Sequence, residues 1–412
     1  MNVTVLPKDW SLLPLGDVAH VYAGGTPSRA VASYWGGEIP WVTTAEVDAV
    51  YITSSRERIT TEALSFSAAK IAQPGTLLLA MYGQGKTRGK VAMLRIPSAM
   101  NQACAAIEVG TRVDASYLLY YLSSQYDAIR GMSNSGSQDN LSGSIVKGIP
   151  VAVPPIPEQR AIAAALDDVT ELTKELEGLI AKKRDIKQGM MQELLTGKTR
   201  LPDSSGAWTT LHVAAASHLK ARIGWQGLTT EEYRESGEYR LVGGTEFRDG
   251  RVDWDRTPYV DKWRFDQDPN IQLQVGDVLI TKDGTIGKVA IVESLPGPAT
   301  LNSGVFVVRP KRGAYDSGFL YWMLRSRIFE DFVAGLSAGS TINHLYQRDL
   351  VTLEFSVPAA LDEQRAIAVA LTVADSESAA LERRLESARA IKVGMMQELL
   401  TGRTRLPVGA AL

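Results

Sequence analysis

Cysteine is nearly missing from this chain: Cys104 is the only one among 412 residues. A single thiol excludes an internal disulfide and fits a reducing compartment. Histidine is scarce too, and His20, His212, His218 and His344 show no metal-ligand spacing, so no metal site is expected. No run of about 18 apolar residues occurs, and no basic-then-apolar leader opens the chain. These absences predict a soluble, cytoplasmic protein with no membrane partner. Charge excess is lacking as well. The formal net charge is −2; residues 1–157 carry 12 basic and 11 acidic side chains, and residues 203–357 carry 17 and 20. Any surface for a polyanion must therefore be a local patch. Catalytic signatures are missing in the same way. There is no G-x-G-x-x-G between a strand and a helix, no His-Glu-x-x-His, and no Asn-Pro-Pro-aromatic or Asp-Pro-Pro-aromatic run of the kind that methylates a base amino group. Cys104 has Gly304 opposite it in the second half, so it reads as a small buried thiol and not as a nucleophile.

What the chain does contain is a long repeat. Residues 158–202 read EQRAIAAALDDVTELTKELEGLIAKKRDIKQGMMQELLTGKTRLP. Residues 363–407 read EQRAIAVALTVADSESAALERRLESARAIKVGMMQELLTGRTRLP. The copies align without a gap at an offset of 205, with 26 of 45 positions identical. In the first copy Ile162, Leu166, Val169, Thr173, Leu176 and Ile180 step by fours and threes, a coiled-coil stripe that Leu172, Leu179 and Ile186 are expected to widen. Ile367, Leu371, Ala374, Ser378, Leu381 and Leu385 hold the same places in the second. Residues 158–196 would form about 58 Å of straight helix. Each stripe needs a partner, and the two copies are natural partners running antiparallel.

Ahead of each copy lies a mixed α/β domain, and the second loosely repeats the first. VGDVLITKDGTIGKVAIV (275–292) echoes PGTLLLAMYGQGKTRGKVAML (74–94), and Asn302 falls opposite Asn101. Strands are expected within 39–47, 75–82, 90–96 and 102–109, a helix over 116–132, a polar loop over 133–144 and an extended piece over 145–153. Ala80-Met-Tyr-Gly-Gln-Gly85-Lys86-Thr87 resembles a phosphate loop without its first glycine. Such a loop cradles an anion on a helix N-terminus, whereas RGKVAMLRI is β-type. The second half keeps only the later Gly-Lys-Val-Ala, so a glycine-turned hairpin is the better reading.

GGTPSRAVASYWGGEIPWV (24–42), the GSQDNLS loop before GIPVAVPPIPEQRAIA (148–163), and MMQELLTGKTRLP with its second copy together resemble the specificity subunits of type I restriction-modification enzymes. The resemblance covers essentially the whole chain. It implies an α+β fold of two target recognition domains and two long antiparallel coiled-coil helices, related by an internal pseudo-twofold. The expected divisions are 1–156 (domain one), 157–200 (first helical spacer), 201–357 (domain two), 358–407 (second spacer) and 408–412 (tail). It implies a chain without catalysis of its own that reads a split double-stranded DNA target. Two methyltransferase subunits using S-adenosylmethionine, and restriction subunits using ATP and Mg²⁺, would be its partners, with no cofactor bound by this chain. Residues 216–244 lack the Thr-Pro-Ser and Tyr-Trp-Gly pieces of domain one, and GSTINHL replaces GSQDNLS, so the two halves should read different sequences.

Polar and basic side chains on turns are the candidates for touching DNA, since base edges and phosphates need donors and acceptors. In domain one they are Thr26, Ser28, Arg29, Gln84, Lys86, Arg88, Lys90, Ser137, Gln138 and Asn140. In domain two they are Lys282, Asp283, Thr285, Lys288, Ser340, Thr341, Asn343 and His344. Arg160, Gln192, Glu193, Arg365, Gln397 and Glu398 are candidates for helix packing and partner docking. Two other classes compete: a nucleotide enzyme working through Gly85-Lys86-Thr87, and a coiled-coil assembly protein with no DNA function. ATP binding by the purified chain would favour the first; absence of salt-dependent DNA binding in the reconstituted complex would favour the second.

Overall fold

The computed structural model of the protein describes residues 6–48, 50–83, 86–132, 140–202, 204–223, 227–337 and 344–407. The chain forms two compact units, residues 1–177 with 383–412 and residues 178–382. Each unit thus holds one globular domain and part of both long helices.

Unit 1 begins with β1 (Ser11–Pro14), α1 (Leu15–Val18), β2 (Ala19–Ala23), β3 (Trp35–Val42), β4 (Tyr51–Ile52), β5 (Glu57–Ile59) and α2 (Thr61–Ser65). It continues with β6 (Leu77–Ala80), β7 (Val91–Leu94), β8 (Ala99–Met100), β9 (Cys104–Val109), α3 (Ala115–Ser124), α4 (Tyr126–Gly131), α5 (Gly143–Lys147) and β10 (Pro150–Val153). The first long helix, α6, is Ile156–Leu194. The sheets have the orders β2-β9-β6-β7-β4, β5-β3-β8 and β1-β10.

Unit 2 repeats this with β11 (Trp208–His212), α7 (Val213–Ala216), β12 (Ser217–Ala221), β13 (Tyr239–Val242), β14 (Phe247–Arg248), β15 (Arg251–Val252), β16 (Tyr259–Val260) and α8 (Lys262–Asp266). Then come β17 (Val278–Thr281), β18 (Val289–Ile291), β19 (Ala299–Leu301), β20 (Val305–Pro310), α9 (Ser317–Leu324), α10 (Arg327–Ser337), β21 (Glu354–Pro358) and the second long helix, α11 (Leu361–Leu399). Its sheets run β12-β20-β17-β18-β15-β14, β16-β13-β19 and β11-β21.

The apolar run of β6 is continuous because both faces of its sheet are covered. Side chains alternate along a strand, so Leu77 and Leu79 enter one core and Leu78 and Ala80 another. β17 does the same with Val278 and Ile280 against Leu279. The hairpins form as expected, with Leu77 opposite Met93 and Val278 opposite Ile291. Gly89 and Gly287 take φ values of 88° and 80° near the return strands, a region that side chains disfavour. A strand and not a helix follows Thr87, so the phosphate-loop reading loses its physical basis. Two expectations are corrected. Residues 145–153 are not one extended piece, because Ser142 caps α5 by accepting from the Ile145 amide before β10 begins. The helix over 116–132 is broken at Gln125 into α3 and α4.

Each long helix has 39 residues. They end alike, at Gly197 and Gly402 with φ of 72° and 71°. In unit 1, Ile162, Ala163 and Leu166 from the start of α6 share a core with Leu399 and Leu400 from the end of α11. In unit 2, Leu194 and Leu195 from the end of α6 share a core with Ile367, Ala368 and Leu371. Start meets end in both, so the pairing is antiparallel. Ion pairs repeat it: Glu177 with Arg389 at 2.6 Å, and Arg184 with Glu382 at 2.6 Å, are the same pair shifted by the repeat offset. Leu179 and Ile186 do not widen the stripe. They are 42% and 46% exposed, about a quarter turn off the buried line through Leu176 and Ile180. No described helix is long and apolar enough to cross a membrane.

Candidate nucleic-acid interface

The ends of β6 and β17 gather the candidate loops. In unit 1 the Met81 amide donates to the Ala103 carbonyl at 2.8 Å, and the Leu141 amide donates to the Met81 carbonyl at 3.0 Å. The Gly24 and Gly25 amides donate to the carbonyls of Cys104 and Met100 at 3.2 and 2.9 Å. The Thr26 hydroxyl then meets the Gln102 side chain. Three stretches far apart in sequence therefore share one rim. Unit 2 is built the same way: the Lys282 amide donates to Gly304 at 2.9 Å and the Leu345 amide to Lys282 at 2.8 Å. Asp283 bridges to His344 through backbone, and their side chains meet at 2.6 Å.

The individual candidates differ in how free they are. Ser28 and Lys86 are exposed, and the Lys86 carbonyl accepts from the Tyr126 hydroxyl at 2.7 Å. Arg29 is exposed but held: its guanidinium stacks 3.7 Å from the Trp35 ring centroid and donates twice to Glu57, at 2.5 and 3.1 Å. Lys90 is paired with Asp48. Asn140 is half-buried. Thr285 and Lys288 are exposed, while Lys282 is half-buried and lies over the Phe306 ring at 5.7 Å. Arg88 is 7% exposed and donates to the Arg130 carbonyl at 3.4 Å, so its side chain packs inward. Gln84, Ser137, Gln138, Ser340, Thr341 and Asn343 lie outside the described residues.

The repeated motif also resolves into roles. Gln159 and Gln364 are buried and weld each long helix to its domain. Gln159 accepts from the Asp114 amide at 2.8 Å and donates to the Pro154 carbonyl at 2.7 Å; Gln364 does the same with Asp316 and Pro358, both at 2.8 Å. Glu158 is fully buried and takes Arg405 and the Trp10 indole, the latter at 3.1 Å. Glu363 takes Arg200 twice, at 2.7 Å. Arg405 also donates to Asp9 at 2.7 and 3.0 Å, a hydrogen bond that holds the Asp9 carboxyl below its ordinary value. Sequence reasoning missed Glu158, Glu363, Arg200 and Arg405, although opposite charges kept at the two ends of both copies were a signal. Arg160, Arg365, Gln192 and Gln397 are exposed. Glu193 and Glu398 accept from the hydroxyls of Thr199 and Thr404 at 2.8 and 3.1 Å, closing the turn after each helix.

Cys104 is fully buried, and burial with the charge of Glu46 pushes its thiol up to about 12, so it is no nucleophile. Among the described residues, no group of three or more His, Cys, Asp or Glu is placed to hold a metal ion.

Residues 7–187 and 227–388 match the family model described as the type I restriction modification DNA specificity domain. The chain is similar to the MjaVIII specificity subunit of Methanocaldococcus jannaschii, 22% identical over 97% of this chain and 94% of that protein. The MjaIX specificity subunit of the same organism is 30% identical over 44% of this chain and 43% of that protein, so this match spans under half of either. In fold the chain is similar to the S subunit of a type I restriction-modification system from M. genitalium, with a TM-score of 0.65, 14% identity and 97% of both chains covered.

Proposed function

This chain belongs to the type I restriction-modification DNA specificity family, and from that we propose that it is the non-catalytic, cytoplasmic specificity subunit of such a system. One observation carries the reading: the heart of the rim is built twice, on two matching backbone hydrogen bonds, with different side chains presented. In this reading domain one would offer Thr26, Ser28, Arg29 and Lys86, and domain two would offer Asp283, Thr285, Lys288 and His344. Base edges in the major groove are told apart by donor and acceptor patterns, while lysine and arginine hold phosphates and set register. Two scaffolds alike in backbone and unlike in side chains fit the reading of two different tracts of double-stranded DNA.

Catalysis belongs to partners in this reading. Two methyltransferase subunits would bring S-adenosylmethionine, and restriction subunits would bring ATP and Mg²⁺; this chain binds none of these. The exposed side chains of the repeated motif, Arg160 and Gln192 with Arg365 and Gln397, face outward where partners would dock. The motif occurs twice in the chain, which suits two copies of one partner.

The test is co-expression with the methyltransferase subunit that this reading assigns to it, followed by mapping of methylated bases. The expected result is methylated adenine within two short tracts separated by a fixed number of unread base pairs. A continuous motif, or methylation without sequence preference, overturns the proposal. ATP binding by the purified chain would favour the nucleotide-enzyme alternative instead.

A further inference from the structure

Each recognition domain touches its long helix through a different polar link at one shared place. In unit 1, Tyr51 on β4 donates to Asp167 of α6 at 2.6 Å, and Tyr120 of α3 donates to the same oxygen at 2.7 Å with its hydroxyl 3.1 Å from that of Thr170. In unit 2, Arg251 on β15 reaches Asp375 of α11 at 3.3 Å, Lys187 meets the other oxygen at 2.8 Å, and Arg251 also donates to Glu293 at 2.7 Å. Sheet register makes the two sites equivalent. β4 runs parallel to β7 with Tyr51 beside Met93, and β15 runs parallel to β18 with Arg251 beside Ile291. On the helices the repeat offset places Asp167 opposite Thr372 and Thr170 opposite Asp375. The carboxylate has therefore moved by three residues, about one turn, while its sheet partner has changed from tyrosine to arginine. Thr372 now serves the Trp322 indole at 3.0 Å.

We infer that Tyr51–Asp167 and Arg251–Asp375 are positioning links. Each fixes the angle at which one recognition domain sits on its helix, and each domain is keyed to its own helix by the place of the acid. Both links join the sheet that carries the rim hairpin to the helix, so slack in one displaces one rim and leaves the other alone. This inference rests on the DNA-reading function proposed above. Asp375 is only 8% exposed, and a buried carboxylate tolerates few partners. The Lys187–Asp375 contact alone would hold the two helices together; Arg251 adds the domain.

The test measures methylation by the reconstituted complex on targets with single substitutions in either tract. Each base pair that is read is worth roughly ten- to a hundredfold in discrimination. Arg251→Gln, which leaves Lys187–Asp375 intact, is expected to lower discrimination in the tract read by domain two by about tenfold and to leave the other tract unchanged. Asp167→Asn should do the reverse. The transplanted key, Arg251→Tyr with Thr372→Asp and Asp375→Thr, should recover part of what Arg251→Tyr alone loses, which a merely destabilising change would not. Equal loss in both tracts, or unchanged discrimination in every variant while the unaltered protein reads a split target, overturns the inference. Should the unaltered protein read no split target, the functional proposal itself has failed.

Discussion

Trp10 and Trp208 occupy matching places, yet their indole N–H groups fare differently. Trp10 donates to Glu158 at 3.1 Å, while the buried N–H of Trp208 has no partner among the described residues. A hydrogen bond to a charged group contributes about 1.5–3 kcal/mol, whereas a buried donor without a partner costs about 1–3 kcal/mol in lost hydration. Trp→Phe removes similar ring volume at both places, so Trp10→Phe is expected to cost more than Trp208→Phe by about 2 kcal/mol or more. Hydrogen exchange of β1 and β11 would read the difference, and a larger loss for Trp208→Phe would refute it. The Arg200–Glu363 pair makes a sharper case. Glu363 is 6% exposed, so Arg200→Ala strands a buried carboxylate at a cost of about 3 kcal/mol. Adding Glu363→Gln removes the stranded charge and should return at least half of that in urea melts; additive losses would show that the pair is not coupled.

At the level of the helices, two equivalent lysines have opposite surroundings. Lys187 is bonded to Asp375 at 2.8 Å. Lys392, its counterpart, lies 5.6 Å from the Tyr120 ring centroid, and burial pulls its ammonium below the ordinary value against the charge of Asp167. Lys187→Met should therefore destabilise unit 2 by about 1–3 kcal/mol, whereas Lys392→Met should be neutral or stabilising in unit 1. Exchange protection of α9 and α3 measures each. Asp375 adds a pH signature. Burial pushes its carboxyl up, but the hydrogen bond and charge of Lys187, with the charges of Arg325 and Arg251, outweigh this and hold it below 3.8. A carboxylate depressed in the folded state stabilises fully above its unfolded value and loses that contribution as pH falls through the folded value. Unit 2 should weaken as pH drops below about 4, and Asp375→Asn should flatten that dependence.

These sites also mark how far the sequence could be read. Long-period features were legible: the repeat revealed both long helices and their antiparallel pairing, and the echo of 74–94 in 275–292 identified a hairpin that turns on glycine. Features decided by contacts between distant residues were not. Leu179 and Ile186 fit an apolar stripe on paper, but helix rotation leaves them in solvent. Arg88 sits in a basic run yet folds inward, because its guanidinium reaches the carbonyl of Arg130, 42 positions later. Asp375 looks like any polar helix residue until Lys187, 188 positions earlier, is brought against it. Convergence of residues 24–26, Met81, 100–104 and Leu141 on one rim is likewise a product of sheet order, β9 standing beside β6, and no local pattern encodes it.

For the whole molecule, the repeat makes a quantitative demand. If α6 and α11 set the spacing of the two tracts, lengthening both must lengthen the unread gap, and lengthening one must fail, since an antiparallel pair stays in register only when both grow. The place for an insertion follows from where the helices lie. Thr196 is beyond the last helical residue, Leu194, so residues added there enter a turn and leave the helix unchanged. Seven residues, a full heptad, inserted after Glu177 and again after Glu382 preserve the buried stripe. Each helix then grows by about 10 Å, roughly three base pairs of rise along a duplex. Mapping methylated sites of this double insertion should return the same two tracts with about three more unread base pairs between them. The single insertion after Glu177 should instead weaken complex assembly, because α11 unchanged in length could no longer keep both Glu177–Arg389 and Arg184–Glu382 in register. An unchanged gap in the double insertion would show that the helices dock partners without measuring DNA.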